Sequence, residues 1–121
     1  MSHAAQAYAR TSQTTSSPRE IEAQALLKAA RQLLDVQANW AGPDKNMHNA
    51  LLFNRRLWSI FMSAMAANES PQPMEIRQNI ANIGVFVMKQ TLEMQMDPDP
   101  KKLTSLIEIN TNIAAGLAGR R

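Results

Sequence analysis

The residues of this chain that could do chemistry are few and scattered. His3 lies near the N-terminus and His48 near a helix start, and neither has a second ligand or a base at a useful spacing. Asp97 and Asp99 alternate with prolines, which is not the pattern of a calcium-binding loop. Because the chain has no cysteine, it has no thiol nucleophile and no thiolate metal site. We therefore expect a binding protein, with no enzymatic activity, cofactor or metal.

The cationic residues favour a solvated surface over a nucleic-acid interface. The net charge is +3, and the adjacent pairs Arg55-Arg56, Lys101-Lys102 and Arg120-Arg121 are far apart in the sequence. A protein that binds nucleic acid usually carries a denser basic stripe. An RNA-binding role stays open as the alternative, and it would require Arg55 and Arg56 to share a face with Lys89, Lys101 and Lys102.

The first 16 residues differ in composition from the rest of the chain. They are rich in alanine, serine, threonine and glutamine and include a single aromatic residue, Tyr8. We predict that residues 1–16 form a flexible or partly helical segment, which becomes ordered only if Tyr8 docks on the body or on a partner. Residues 17–121 are then a single domain. The start lacks a secretory leader, and no apolar run is long enough to span a bilayer, so we expect no membrane association.

Periodic apolar residues separated by helix breakers predict four helices. Gly42-Pro43, the prolines at 71 and 73, and the turn 97–100 interrupt the pattern. Ser17, Asp44 and Asp99 are placed to cap the helices that follow them. With short connections, the fold class is all-α: a small antiparallel bundle of four main helices. The predicted helices cover residues 17–39, 44–68, 73–96 and 100–118.

Three small or polar residues interrupt the apolar faces of these helices. Asn54 and Asn110 each place an amide within an apolar stripe, so each needs a hydrogen-bond partner across the bundle, and the two amides could pair. Gly84 lies on the inner face of the third helix, where we expect two backbones to approach closely. The neighbouring Ile83, Val85, Phe86 and Val87 also suit a short strand, which is the competing local prediction.

Three segments of this sequence together resemble the FlaF family of flagellar biosynthesis regulators in alphaproteobacteria. The first is Ala7-Tyr8 followed by Pro18-Arg19-Glu20 and a helix. The second is Asn54-Arg55-Arg56-Leu57-Trp58, and the third is Leu106-Ile107-Glu108-Ile109-Asn110-Thr111-Asn112-Ile113-Ala114-Ala115-Gly116-Leu117. The resemblance extends over nearly the whole chain.

The resemblance implies a small cytoplasmic protein that promotes flagellin synthesis and secretion. It implies flagellin as the partner, bound by a chaperone-like factor, and a functional link to FlbT, a regulator that represses flagellin translation. Absence of cysteine fits a cytoplasmic location. A flagellin chaperone must shield an amphipathic helix that would otherwise polymerise early, and a helical bundle can do so with an apolar groove.

We expect such a groove to lie around Trp58. In this hypothesis the arginine pair orients acidic residues of the client at the rim, and apolar residues of the second and last helices line the groove. The alternative is that Trp58 is a core residue whose N–H bonds to Asn54 or to a carbonyl, so its exposure distinguishes the two interpretations. The predicted protein-binding residues are Asn54, Arg55, Arg56, Trp58, Met62, Met65, Ile109 and Ile113.

Overall fold

The structure is a computed structural model and describes residues 18–67 and 72–119. In these two ranges the chain is all-α, as predicted, with four helices and no strand. The predicted flexible segment 1–16 and the predicted cap Ser17 lie outside the described residues. The elements are α1 (Pro18–Ala38), α2 (Lys45–Ala66), α3 (Met74–Met96), a 3-10 turn (Pro100–Lys102) and α4 (Leu103–Leu117).

Two of the predicted caps accept the expected hydrogen bonds, but only Asp44 directly begins the α-helix predicted for it. Asp44 Oδ1 accepts a hydrogen bond of 2.9 Å from the backbone N–H of Met47 at the start of α2. The turn before it contains Gly42 at φ 106°, a conformation that favours glycine. Asp99 accepts a 2.9 Å bond from the N–H of Lys101, but it opens the 3-10 turn, so α4 itself begins at Leu103 and not at residue 100.

Hydrogen bonds between helix ends show that neighbouring helices are antiparallel. Gln37, near the end of α1, donates a 2.9 Å bond to Thr104 at the start of α4. Arg77, near the start of α3, donates a 2.6 Å bond to the carbonyl of Met65 at the end of α2. The main packing pairs are α1 with α4, α2 with α3, and α1 with α2. Since α3 has α2 as its principal neighbour, much of its surface is not covered by another of the described helices.

The core is built from one face of each helix, and α2 supplies its largest side chain. Trp58 is completely buried, and its ring meets Phe61 edge to face with centroids 5.5 Å apart. The other large, fully buried apolar side chains come from all four helices, and they include Leu26, Leu33, Met47, Leu51, Val87, Met94, Leu103 and Leu106.

Gly84 is buried on α3, but the expected reason for a glycine there was wrong. A Cβ at this position would overlap the side chain of Met62 on α2, and no neighbouring backbone approaches it as closely. The glycine therefore provides a recess that receives a methionine side chain, and this contact joins α2 to α3. Residues 83–87 are helical, so the competing strand prediction was also wrong.

Candidate functional site

The segment from Asn54 to Trp58 lies in the middle of α2, and the helical turn separates its side chains. Asn54 and Trp58 are one turn apart, so both point into the bundle, where each is completely buried. Arg55 and Arg56 fall on the outer side of α2 and are exposed, whereas Leu57 is half-buried between the two environments. Because successive residues of a helix are rotated by about 100°, the first and last of the five side chains lie in the core, and the two arginines between them face solvent.

Asn110 of α4 joins the two buried polar groups of α2. Its Oδ1 accepts a 2.9 Å hydrogen bond from the indole N–H of Trp58, and its Nδ2 donates a 2.6 Å bond to Oδ1 of Asn54. The same Nδ2 donates a longer bond of 3.5 Å to the backbone carbonyl of Leu26 on α1. These contacts link three helices through one amide, and we call Asn54, Trp58 and Asn110 the amide–indole junction. The predicted pairing of the two asparagines is confirmed.

One group in this junction has no partner among the described residues. The Oδ1 atom of Asn54 accepts from Asn110, which directs the Nδ2 atom of Asn54 to a buried position without an acceptor. Rotating the Asn54 amide would instead place two N–H groups face to face. An unpaired buried donor costs about 1–3 kcal/mol, so the junction achieves its connection between helices at some loss of stability.

The predicted protein-binding residues are dispersed between the interior and the surface. Trp58 and Asn54 are completely buried and Met65 is nearly so, which corrects the expectation that they line an open groove or its rim. Met62, Ile109 and Ile113 are half-buried and pack against the core. Of the eight residues, only Arg55 and Arg56 are exposed. The structure therefore supports the core interpretation of Trp58, with Asn110 as its hydrogen-bond partner in place of Asn54.

A different apolar surface is accessible on α3. Seven residues spaced three, four or seven positions apart fall within a sector of about 80° on this helix, away from its buried face. None is charged, and one, Gln78, is polar. The exposed fraction is 70% for Met74, 49% for Val85, 56% for Leu92 and 71% for Met96. We call this set the outer stripe of α3: Met74, Gln78, Ala81, Val85, Met88, Leu92 and Met96.

Comparison with known proteins identifies the family. The family model for flagellar protein FlaF matches residues 4–117, which is nearly the whole chain. The chain belongs to the FlaF family. This confirms the resemblance seen in the three sequence segments and makes the protein a flagellar one. No curated protein and no solved structure matches the chain.

In this FlaF-family chain, the outer stripe of α3 was the feature that the sequence reasoning missed. These residues were predicted to lie in the third helix, but the predicted packing face was the inner one, which includes Ile80, Gly84 and Val87. The available signal was a second series of uncharged residues at helical spacing on the same segment. An amphipathic helix with one neighbour needs only one apolar face, so the second face requires an explanation.

The cations that an RNA-binding FlaF protein would need do not form one uncompensated cluster. Lys102 Nζ lies 3.0 Å from a carboxylate oxygen of Asp97 and 3.0 Å from one of Glu93. The hydrogen bond to Asp97, followed by the one to Glu93, raises the pKa of Lys102 above its ordinary value. The charge of Lys102 is thus paired with carboxylates of the protein itself. The other four cations, Arg55, Arg56, Lys89 and Lys101, are exposed.

Residues 18–67 and 72–119 contain no cluster of three or more histidine, aspartate or glutamate residues that could hold a metal ion. Among the described helices, none is long and apolar enough to cross a membrane.

Proposed function

We propose that this protein promotes flagellin synthesis and secretion by binding flagellin, through the outer stripe of α3, as a chaperone-like factor. Family membership supports a flagellar role, and the resemblance described above implies flagellin as the partner. The single structural observation in favour is an uncharged stripe, exposed except at the half-buried Ala81 and Met88, on a helix that already buries its other face. In this proposal the protein acts in the cytoplasm, where flagellin is made, and acts opposite FlbT.

The chemistry of the stripe suits an amphipathic helix. The exposed Met74 and Met96 contribute flexible thioether side chains, which can repack around different apolar residues. The stripe runs over most of the length of α3, about 33 Å from Met74 to Met96 at 1.5 Å per residue. A partner helix of several turns could therefore place residues at i, i+3, i+4 and i+7 against it. Covering such a helix in flagellin would prevent its premature assembly with other flagellin subunits.

The proposal is tested by measuring binding of purified protein to monomeric flagellin by isothermal titration calorimetry. A Val85→Glu, Leu92→Glu double variant should bind at least about 10-fold more weakly, because two desolvated carboxylates would oppose the contact. Leu34→Glu is the matched control, since Leu34 is an exposed leucine on α1, outside the stripe. It should bind like the natural protein.

The possible results test separately whether the protein binds flagellin and whether the outer stripe is the surface that binds it. If the natural protein does not bind flagellin, the proposed function is wrong. If it binds and the double variant binds equally well, flagellin uses a surface other than the outer stripe. The RNA alternative has less support because Lys102 is paired with two carboxylates. A specific gel shift with the flagellin leader transcript at physiological salt, lost in Arg55→Ala, Arg56→Ala, would favour RNA binding instead.

A further inference from the structure

A small apolar groove lies on the surface between α1 and α2, away from the outer stripe of α3. Its lining is almost entirely hydrocarbon, and among the described residues that line it Glu22 is the one with an ionisable side chain. Ile60 is 69% exposed although it lies in this lining, and Ile21, next to Glu22, is 57% exposed. Large apolar residues are thus left uncovered at one place. The lining residues are Glu22, Leu26, Leu57, Ile60, Phe61 and Ala64.

The environment of Glu22 shows that the groove already excludes part of the surrounding water. Burial raises the pKa of the Glu22 carboxyl, and this effect exceeds the opposing attraction of Arg19. A carboxylate in such a position gains from a nearby cation and loses from a purely apolar cover. The occupant of the groove should therefore combine an apolar group with a positive charge.

The chain has a segment of this composition directly beside the groove. Residues 1–17 lie outside the described residues and join the structure at Pro18, one helical turn from Glu22. They include Tyr8, flanked by Ala7 and Ala9, and then Arg10, the only arginine or lysine of the segment. The ten-residue step from Tyr8 to Pro18 can span up to about 33 Å when extended. Glu22 and Leu26 at the near end of the groove are well within that reach.

We propose that the segment around Tyr8 docks in the groove between α1 and α2 of its own chain. The tyrosine ring covers Leu57, Ile60 and Phe61 and keeps its hydroxyl at the edge, in contact with water. The small side chains of Ala7 and Ala9 allow the segment to approach the helices closely. The guanidinium of Arg10 lies near the carboxylate of Glu22.

Covalent attachment favours this occupant over a separate molecule. A short tether gives the segment an effective concentration of about the millimolar range at the groove, so a weak contact is enough to fill it. The match to the FlaF family begins at residue 4, so the similarity to the family includes the docking segment together with the bundle. The segment would then be a permanent part of the domain, and not a linker.

Disulfide cross-linking tests this proposal cleanly because the chain has no cysteine. One cysteine is introduced by Ala7→Cys, which preserves Tyr8, and the second by Ala64→Cys in the groove. The matched control pairs Ala7→Cys with Ser63→Cys, since Ser63 is also exposed but lies about 100° around α2. Under mild oxidation, the Ala64 pair should form an intramolecular disulfide at least 10-fold faster than the Ser63 pair.

Two additional measurements make the result decisive. The rate should not depend on protein concentration, and Tyr8→Ala in the Ala64 pair should reduce it to the rate of the control. Equal rates for the two pairs, or no effect of Tyr8→Ala, would overturn the proposal. A disulfide-linked dimer as the main product would also overturn it, because the segment would then occupy the groove of a second copy. Circular dichroism confirms that each variant is folded, and because no flagellin is present, the outcome is independent of the proposed function.

Discussion

The amide–indole junction and the outer stripe of α3 differ in the way they use their side chains. The junction consists of the most distinctive residues in the sequence, and it buries all three of them between α1, α2 and α4. The stripe consists of ordinary apolar residues and leaves several of them in contact with water. The distinctive residues thus hold the helices together, whereas the surface available to a partner has no unusual residue type.

This difference follows from the cost of burying polar groups. A buried amide or indole N–H needs a hydrogen-bond partner. Few residue types can provide that partner, and they can do so only when the helices are placed in one particular way. An apolar docking surface needs only shape and hydrocarbon, and many sequences satisfy that requirement. In this chain, the segment from Asn54 to Trp58 is therefore a better indicator of the fold than of an exposed apolar surface.

Among the substitutions that remove a contact, the largest expected effect is the loss of the junction in Asn110→Ala. Removing this amide leaves the indole N–H of Trp58 and the side chain of Asn54 without a shared partner and creates a small cavity. We expect the free energy of unfolding to fall by about 3 kcal/mol or more, as measured by urea denaturation.

Asn112→Ala is the matched control for this prediction. Asn112 is the same residue type two positions further along α4, but its side chain is exposed. The free energy of unfolding should change by less than about 0.5 kcal/mol. If Asn110→Ala were as mild as Asn112→Ala, the junction would not be what holds α4 to α2.

An intermediate effect is expected where α2 meets α3 at Gly84. Alanine is favoured over glycine in a helix by about 1 kcal/mol, but its Cβ would displace the side chain of Met62, and such overpacking typically costs about 1–3 kcal/mol. Gly84→Ala alone should therefore destabilise the protein by about 1 kcal/mol.

The background Met62→Ala reverses the expected sign. With the methionine side chain removed, Gly84→Ala should stabilise the protein by about 1 kcal/mol through helix propensity. Thermal and urea unfolding of the four proteins of this double-mutant cycle measure the coupling directly. If Gly84→Ala has the same effect in both backgrounds, Met62 does not occupy the recess.

The asparagine pair and Gly84 also show how much of the structure could be predicted from the sequence. Amides at Asn54 and Asn110 in apolar stripes correctly indicated buried polar contacts, because periodicity reports which side of a helix faces inward. The partner of Trp58 could not be predicted, since the choice between Asn54, Asn110 and a carbonyl depends on the relative placement of three helices. The same applies to Gly84, where sequence indicates a close approach but not which group approaches.

The surface was harder to predict than the core for a related reason. The sequence shows that Val85, Leu92 and Met96 are apolar and helical, but their exposure arises because none of the other described helices packs on that side of α3. Arg77 is a second example. Its guanidinium donates to the last carbonyls of α2, at Met65 and Ala66, and this contact depends on how the chain returns after α2.

A smaller effect, with a defined pH dependence, is expected for Glu22→Gln. Burial raises the folded-state pKa of Glu22 above its ordinary value of 4.5, so the folded state binds more protons than the unfolded state between the two values. The contribution of Glu22 to stability is therefore greatest at low pH and is lost as the pH rises through this window. At pH 7 and in an Arg10→Ala background, which removes the guanidinium proposed to lie near Glu22, Glu22→Gln should stabilise the protein by a few tenths of a kcal/mol at most, because solvent screens this partly exposed carboxylate.

Urea denaturation at a series of pH values measures this difference. The Arg10→Ala proteins with Glu22 and with Glu22→Gln should converge in stability below pH 4.5, where the carboxyl is protonated in both states. The control is Glu108→Gln, since Glu108 is exposed on α4. A gain in Glu22→Gln that persists unchanged at acid pH would have to arise from something other than the charge of Glu22.

The smallest effect on stability is expected on the outer stripe itself. Leu92 is 56% exposed, and glutamate is nearly as favourable as leucine in a helix, so Leu92→Glu should change the free energy of unfolding by less than about 0.5 kcal/mol. Met94, two positions along α3, is completely buried, and Met94→Glu should unfold the protein or destabilise it by several kcal/mol, because it places a charge in the core. Urea denaturation of the two variants compares the two sides of one helix. If Leu92→Glu were also strongly destabilising, the outer stripe would belong to the folded core and could not serve as the surface for a partner.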